Sequence, residues 1–592
     1  MEQEVMFLPS SDWRPPESFP DTFGLKSFAI DLETKDPKLK SMGSGEIRGD
    51  GFPVGIAYSD SNFTGYYPFG HEAGGNMDRE TVLSFFGKLC ENPEIEKIGH
   101  NIVYDISWLK TLGIKCRGPL RDTMTAEALI DEELTDYSLD GLANRRLGES
   151  KDDRILKETA SAYGLDPKQD LWQLHAKHVG SYAEFDASAT FKIYESQRLD
   201  LSKQKLWEIY ELECKLIPLL VEMRFKGVPV NLGAAKELSI QWEKDEKFLQ
   251  KDLDLFAGQA VDFRSGPKIA EICERKKISF PQTAKGNPSF KKEFLEVASN
   301  LFLQKIYEIR QISNLRKTFL NKRIMGMAID GKIHCEWKPT KREDGGTKTG
   351  RFSASNPPLQ QIPKRNKKFA HKIRELFIPD QGKQWLSLDY AQQEPRILVH
   401  YAYLLGFRGA EEAKNLYCAH PETDFYSFTA SAAGIERNLA KTITLGRCYG
   451  LGIKSLSETL NIEYEEAEDL LNLFDDKNPF IKELTYFCQN EAKQKGYIKT
   501  ILGRRKHFDK EGKDHFKAIN ALIQGSAADM TKKAMLDVWD TLKLVPYMQV
   551  HDELSYGVNH LQEANLIKVL VENCLPQMEV PMITDMKLGD TW

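Results

Sequence analysis

Three short apolar runs in this chain carry acids where a buried strand should have none: "FAIDLET" (Phe28–Thr34), "WLSLDY" (Trp385–Tyr390) and "MQVHDEL" (Met548–Leu554). A buried carboxylate is costly unless a cation shares its site, so each run has to face or end at a place where positive charge is held. In the first, Asp31 and Glu33 stand two apart, and the period of a strand points both to one face, where they repel unless a cation lies between them. In the second, Asp389 closes the apolar run and "AQQEPR" opens a polar helix start. In the third, Asp552 lies between two strand-like runs, and a hairpin with "HDE" at its turn brings Asp552 and Glu553 to the end of a sheet beside Asp389.

At 592 residues the chain exceeds one core and predicts about two to four domains. A content of 41% hydrophobic and 28% charged residues excludes a disordered class. Nine scattered cysteines without a C-x-x-C pair speak against a disulfide frame or a zinc module and for reduced thiols. No 18-residue apolar run and no basic-flanked leader occur, so no membrane partner and a cytosol-like compartment are expected. The texture predicts a multidomain chain of α/β and α+β parts: short β-rich runs alternating with helix over the first 200 residues, a mostly helical stretch to 325, then strands embedded in helix.

The formal charge of −6 hides a local excess. From Arg310 to Arg374 there are 17 Lys and Arg against 4 Asp and Glu, with few aromatic residues, a composition suited to a phosphate backbone rather than to base stacking.

The acids of the first 200 residues form a set. Asp105 follows Asn101 by four in "GHNIVYDISWL", and Tyr182 precedes Asp186 by one helical turn in "YAEFD". Four carboxylates and a tyrosine suit two Mg²⁺ ions roughly 4 Å apart, one activating a water and the other steadying the leaving oxygen. Order and spacing resemble the three motifs of the DEDD exonucleases in their tyrosine form, which implies a 3′-5′ proofreading domain of the RNase H-like fold, with Asp31, Glu33, Asp105, Asp186 and Tyr182 catalytic and Asp31, Glu33 and Asp186 on metal. Asp122 in "RDTMTAEAL" is given a packing or capping role.

Between Asp389 and Asp552, "RNLAKTITLGRCYG" reads as a helix with Arg437, Lys441, Leu445 and Tyr449 at intervals of four, and two cations one turn apart suit a triphosphate. With "TKTGRFSASNPPLQQIP", "DYAQQEPR", "GYIKTILGRRK", "NALIQGSAAD" and "QVHDEL" in this order, the chain resembles the family A (DNA polymerase I) DNA polymerases over nearly its whole length. The resemblance implies an RNase H-like exonuclease domain (1–200) followed by a right-hand polymerase: thumb 201–325, palm 326–425 with motif A, fingers 426–500, and palm 501–592 with motif C. It implies primer-template DNA and dNTPs as partners and Mg²⁺ as cofactor, two ions per site, with Mn²⁺ as a substitute.

Residue by residue, the resemblance implies that Asp389 and Asp552, with Glu553 nearby, hold the polymerase metals, and that Lys441 donates a proton to pyrophosphate. Arg437, Lys441, Leu445, Tyr449, Gln392, Glu394 and Tyr426 would form the nucleotide site, Glu394 blocking a 2′-hydroxyl and Tyr449 and Gly450 meeting the template base. Thr349, Arg351, Arg504, Asn520, Gln524 and His551 would contact DNA. Two positions depart from the family's pattern. Leu445 stands where Phe or Tyr is usual, predicting altered handling of the sugar 3′ position and a slower enzyme; Tyr426 replaces the histidine of the usual D-x-H.

An exonuclease starting within the first 30 residues suggests a replicase without a 5′-nuclease domain, most simply of a bacteriophage acting in host cytoplasm, with an organellar enzyme as second choice. A monomer is expected, with a replicative helicase, primase or single-strand-binding protein as candidate partners. A stand-alone nuclease, a DNA-binding scaffold and a single-subunit RNA polymerase are the rival readings; the acid sets, Lys441 and Glu394 weigh against each.

Overall fold

The computed structural model describes residues 9–592 apart from 284, 343–344, 364–368, 449 and 451 and the side chain of Cys448. The chain forms two compact units: Met1–Lys226 with Glu336–Ser355 and Leu386–Leu588, and Gly227–Cys335 with Asn356–Trp385 and Gly589–Trp592.

The first unit opens with a five-stranded sheet of β1 (Ser27–Lys35), β2 (Phe52–Ser59), β3 (Thr64–Pro68), β4 (Glu96–Gly99) and β5 (Leu120–Asp122) in the order β3-β2-β1-β4-β5. β1 runs antiparallel to β2 and parallel to β4, and β4 in turn runs parallel to β5, the helix α1 (Val103–Thr111) making the crossover between those two. Alternation along β1 sorts its side chains. Phe28, Ile30 and Leu32 enter a core with Ile56, Tyr58, Phe86 and Trp108. Asp31 and Glu33 leave by the other face, Asp31 opposite Ala57, which packs with Ala183 and Ala187 of the long helix α2 (Gly180–Gln204). α2 lies along β1, β2 and β3 and so brings its own acid to theirs. Asp122 caps the helix Thr123–Ile130, accepting from Thr125 N–H at 2.8 Å and also from Ile102 N–H at 2.9 Å, the capping role expected of it. The helix α3 (Trp207–Lys226) follows.

The second unit is mostly helical, with α4 (Leu232–Ala257) packed on α5 (Leu301–Asn314). It begins at Gly227, after α3.

The basic stretch 310–374 is divided between the units, and part of it is engaged internally. Arg310 donates to the Phe263 and Phe290 carbonyls at 2.6 and 2.8 Å, and Arg316 pairs with Glu246 at 2.9 Å. Lys364, Arg365, Lys367 and Lys368 lie outside the described residues.

The first unit resumes with a four-stranded sheet of β6 (Gln384–Tyr390), β7 (Met548–Val550), β8 (Glu553–Val558) and β9 (Thr584–Gly589) in the order β7-β8-β6-β9. Helices α6 (Gln393–Leu404), α7 (Phe425–Ala433), α8 (Arg437–Cys448), α9 (Tyr464–Lys477), α10 (Pro479–Lys495) and α11 (Ala518–Leu542) complete what positions the site.

Candidate active sites

In the first sheet domain, β1 supplies Asp31 and Glu33 and α2 supplies Asp186, and one oxygen of each lies within 4.8 Å of the others. Burial pushes Asp31 up to about 6 and Asp186 up to about 7, while the Lys151 ammonium pulls both back. Burial, followed by the charges of Asp31 and Asp186, holds Glu33 well above the usual carboxylate range. Glu33 Oε1 and Asp186 Oδ1 are buried without a hydrogen-bond partner. Such a triad exists as three carboxylates only beside positive charge, and its all-oxygen donors fit a hard divalent cation such as Mg²⁺ or Mn²⁺.

Asp105, on α1, stands outside this triplet: its Oδ1 accepts the Leu32 N–H at 3.0 Å and so ties α1 to β1 between the two acids. Tyr182, one turn before Asp186, lies with its ring 3.2 Å from the Lys151 ammonium, and burial, then the charge of Glu33, raises its phenol well above its usual value. Gly55 of β2, opposite Glu33, leaves room for the Tyr66 ring. A β-carbon there would sit 2.2 Å from the Tyr66 hydroxyl.

In the second sheet, Leu386, Leu388 and Tyr390 of β6 are buried and Asp389 alternates to the half-covered face. β7 and β8 pair with Val550 opposite Glu553, leaving His551 and Asp552 as a two-residue turn with His551 at φ +60°. The Tyr390 N–H donates to the Asp552 carbonyl at 3.2 Å, which brings the backbones of the two acid-bearing segments together. Glu553, by contrast, is buried at the first position of β8.

Gln392 turns the chain from β6 into α6 at φ +56°. Its amide is engaged by the next loop, donating to the Thr423 carbonyl at 3.1 Å and accepting from the Phe425 N–H at 2.7 Å. Arg396 is fully buried, its guanidinium on the Ala391, Pro421 and Pro581 carbonyls at 2.8, 2.5 and 2.7 Å. Arg351 reaches Glu394 at 2.5 Å, so an arginine expected on DNA pairs with the acid expected over the sugar. Arg351, Gln393, Thr531 and His551 line one small cavity. Asn520 and Gln524 occupy successive turns of α11, and the Thr349 hydroxyl donates to that of Thr347 at 3.4 Å.

On the helical segment, Asp424 receives the Arg437 fork at 2.7 and 2.9 Å. The buried Tyr426 ring lies 5.8 Å from the Arg437 guanidinium and 5.5 Å from the Lys441 ammonium, so it underlies both cations. Leu445 is half-buried, and Tyr449 lies outside the described residues.

Arg504 departs from expectation. It is 5% exposed and bound by Asp529 at 2.8 Å and by Glu213, which also accepts from Lys532 at 2.6 Å. A guanidinium so enclosed has no surface for a phosphate, and its task is to hold α3, α11 and the hairpin Tyr497–His507 together. Lys151, Asp424 and Arg396 were not singled out in the sequence; only the family-matching segments around Asp424 and Arg396 offered a signal, and the loop "GESKDD" offered none.

A family model described as DNA polymerase family A matches residues 233–592, and one described as 3′-5′ exonuclease matches residues 24–202. The chain is 33% identical to a DNA-directed DNA polymerase of Pseudomonas phage M6, over 98% of this chain and 96% of that one. It is 29% identical to DNA polymerase I of Pseudomonas aeruginosa, over 91% of this chain and 61% of that protein. The fold matches the POL domain of Pol1 from M. smegmatis, solved in complex with DNA primer-template and dNTP, with a TM-score of 0.79 at 22% identity and 96% of each chain covered. This chain therefore belongs to DNA polymerase family A and carries a 3′-5′ exonuclease domain ahead of its polymerase domain.

Proposed function

We propose that this polymerase extends a primer 3′ end with dNTPs by two-metal-ion phosphoryl transfer at Asp389 and Asp552, and removes misincorporated nucleotides at Asp31, Glu33, Asp105 and Asp186. The observation carrying the reading is that each acid set converges from distant segments: Asp31, Glu33 and Asp186 within 4.8 Å, and Asp389 joined to the Asp552 turn through Tyr390. Divalent ions held there would lower the pKa of the attacking oxygen and neutralise charge on the phosphates.

The chain's own residues do the rest. Arg437 exchanges Asp424 for a triphosphate oxygen, and Lys441, exposed on the same helix face, grips a second phosphate and supplies a proton to the leaving pyrophosphate. Glu394 excludes a 2′-hydroxyl, while Arg351, Asn520, Gln524 and His551 follow the minor groove of the duplex, whose acceptors vary little between base pairs. Thr349 supports that segment. Gln392 acts by fixing the turn before Glu394 rather than by touching the nucleotide. Tyr182 orients the attacking water in the exonuclease site. Gly227–Cys335 forms the thumb and α7 to α10 the fingers.

No helix of the described residues is long and apolar enough to cross a membrane. A phage relative over almost the full length supports the reading that this chain replicates a phage genome in host cytoplasm; a monomer working with a helicase, primase or single-strand-binding protein completes the proposal.

Primer extension with dNTPs and Mg²⁺, and degradation of a single-stranded 3′ end without dNTPs, test the reading. Asp552→Asn should lose extension and keep degradation, and Asp31→Asn with Glu33→Gln the reverse. Extension by the first variant, or degradation by the second, would refute the assignment.

A further inference from the structure

We propose that Lys151 is the resident counter-ion of the exonuclease acids, occupying Asp186 until a divalent cation takes it and thereby setting how tightly that site binds metal. The inference rests on the exonuclease reading above.

Lys151 belongs to none of the motifs that mark this domain, and it sits on a segment without regular structure, residues 148–153, between the left-handed Gly148 and the helix Arg154–Ala162. Yet its side chain is only 7% exposed, and its ammonium donates to Asp186 Oδ2. The same ammonium lies 3.2 Å from the centre of the Tyr182 ring, so a buried carboxylate and an aromatic face fix it from two sides. Among the described residues no other Lys or Arg forms an ion pair with Asp31, Glu33 or Asp186.

Three mutually repelling acids drawn from β1 and α2 need positive charge to remain assembled as carboxylates. A lysine suits that task better than an arginine because its compact charge sits on a flexible stem and can withdraw without breaking a fork of hydrogen bonds. The oxygens that Lys151 leaves unpartnered, Glu33 Oε1 and Asp186 Oδ1, are the ones open to an incoming ion. Lys151 and the metal thus compete for one carboxylate, and the metal's apparent affinity is reduced by the fraction of molecules in which Lys151 still holds Asp186.

The test uses the full chain carrying Asp389→Asn and Asp552→Asn, so that the exonuclease acids are the remaining set, and Mn²⁺ binding followed by the electron paramagnetic resonance of free Mn²⁺. Lys151→Gln should tighten binding by about three- to tenfold, while Lys151→Arg, which keeps the positive charge on a fork that is harder to withdraw, should bind Mn²⁺ no tighter than the parent. In EDTA, Lys151→Gln should unfold at lower temperature than the parent and gain more from added Mn²⁺. Should Lys151→Gln lose its fold, Lys151→Met, which keeps the stem against Tyr182, gives the same comparison. Mn²⁺ binding that is unchanged or weaker without the ammonium overturns the proposal. A different result, Mn²⁺ stoichiometry unaffected by Asp31→Asn with Glu33→Gln, would instead overturn the exonuclease reading on which it rests.

Discussion

Leu445 is one of the two positions expected to depart from the family's pattern, and its effect should be confined to one contact. It lies on α8, one turn after Lys441, half-buried and unable to donate a hydrogen bond. The expected outcome of Leu445→Tyr is a rise of about fivefold in dideoxynucleotide use relative to dNTPs, because a phenol supplies one hydrogen bond that a missing 3′-hydroxyl otherwise removes, worth about 1 kcal/mol. Competition between ddNTP and dNTP on one primer measures it. His71 carries a prediction of another kind. Burial holds its imidazole down to about 4, against 6.5 when free, and its Nε2 lies 2.7 Å from the Tyr66 hydroxyl beside the exonuclease acids. A depressed histidine favours the folded state above pH 6.5 and loses that advantage as pH falls through 4, by up to about 3 kcal/mol. Thermal unfolding between pH 7 and pH 4.5 should therefore fall less steeply in His71→Gln than in the wild type; equal slopes would show that His71 is not the group responsible.

At the scale of elements, the acids that could be read in advance are those whose placement follows from a local period. Asp31 and Glu33 share a face because a strand alternates, and Tyr182 stays beside Asp186 because a helix turns every 3.6 residues. The "HDE" turn could be read because two apolar runs flank it. Arg504 misled because the resemblance set it on DNA and its partners lie elsewhere in the chain: nothing in "ILGRRK" announces that Glu213 and Asp529 close around it. Lys151 was invisible for the same reason, since nothing local marks a loop lysine as the neighbour of Asp186. Glu213 is fully buried between Arg504 and Lys532. Its replacement by alanine leaves two cations without their shared acid and should cost about 3–5 kcal/mol, readable as a lowered midpoint in chemical denaturation; a change below 1 kcal/mol would mean the cations find other partners.

At the scale of the molecule, the exonuclease and polymerase acids belong to one compact unit. Within it, Glu132 and Glu133 of the exonuclease segment receive Lys506, His507 and Lys348 of the polymerase segments. Two chemistries of opposite direction thus share one body, and a primer end has to visit both. The most direct test is the template-dependent conversion of dNTP to dNMP on a primer whose next nucleotide is the only one supplied, since each cycle requires one addition and one removal. The wild type should release dNMP continuously, while Asp552→Asn alone and Asp31→Asn with Glu33→Gln alone should each release none. Sustained dNMP release by either variant would contradict the assignment of the two acid sets to two separate reactions.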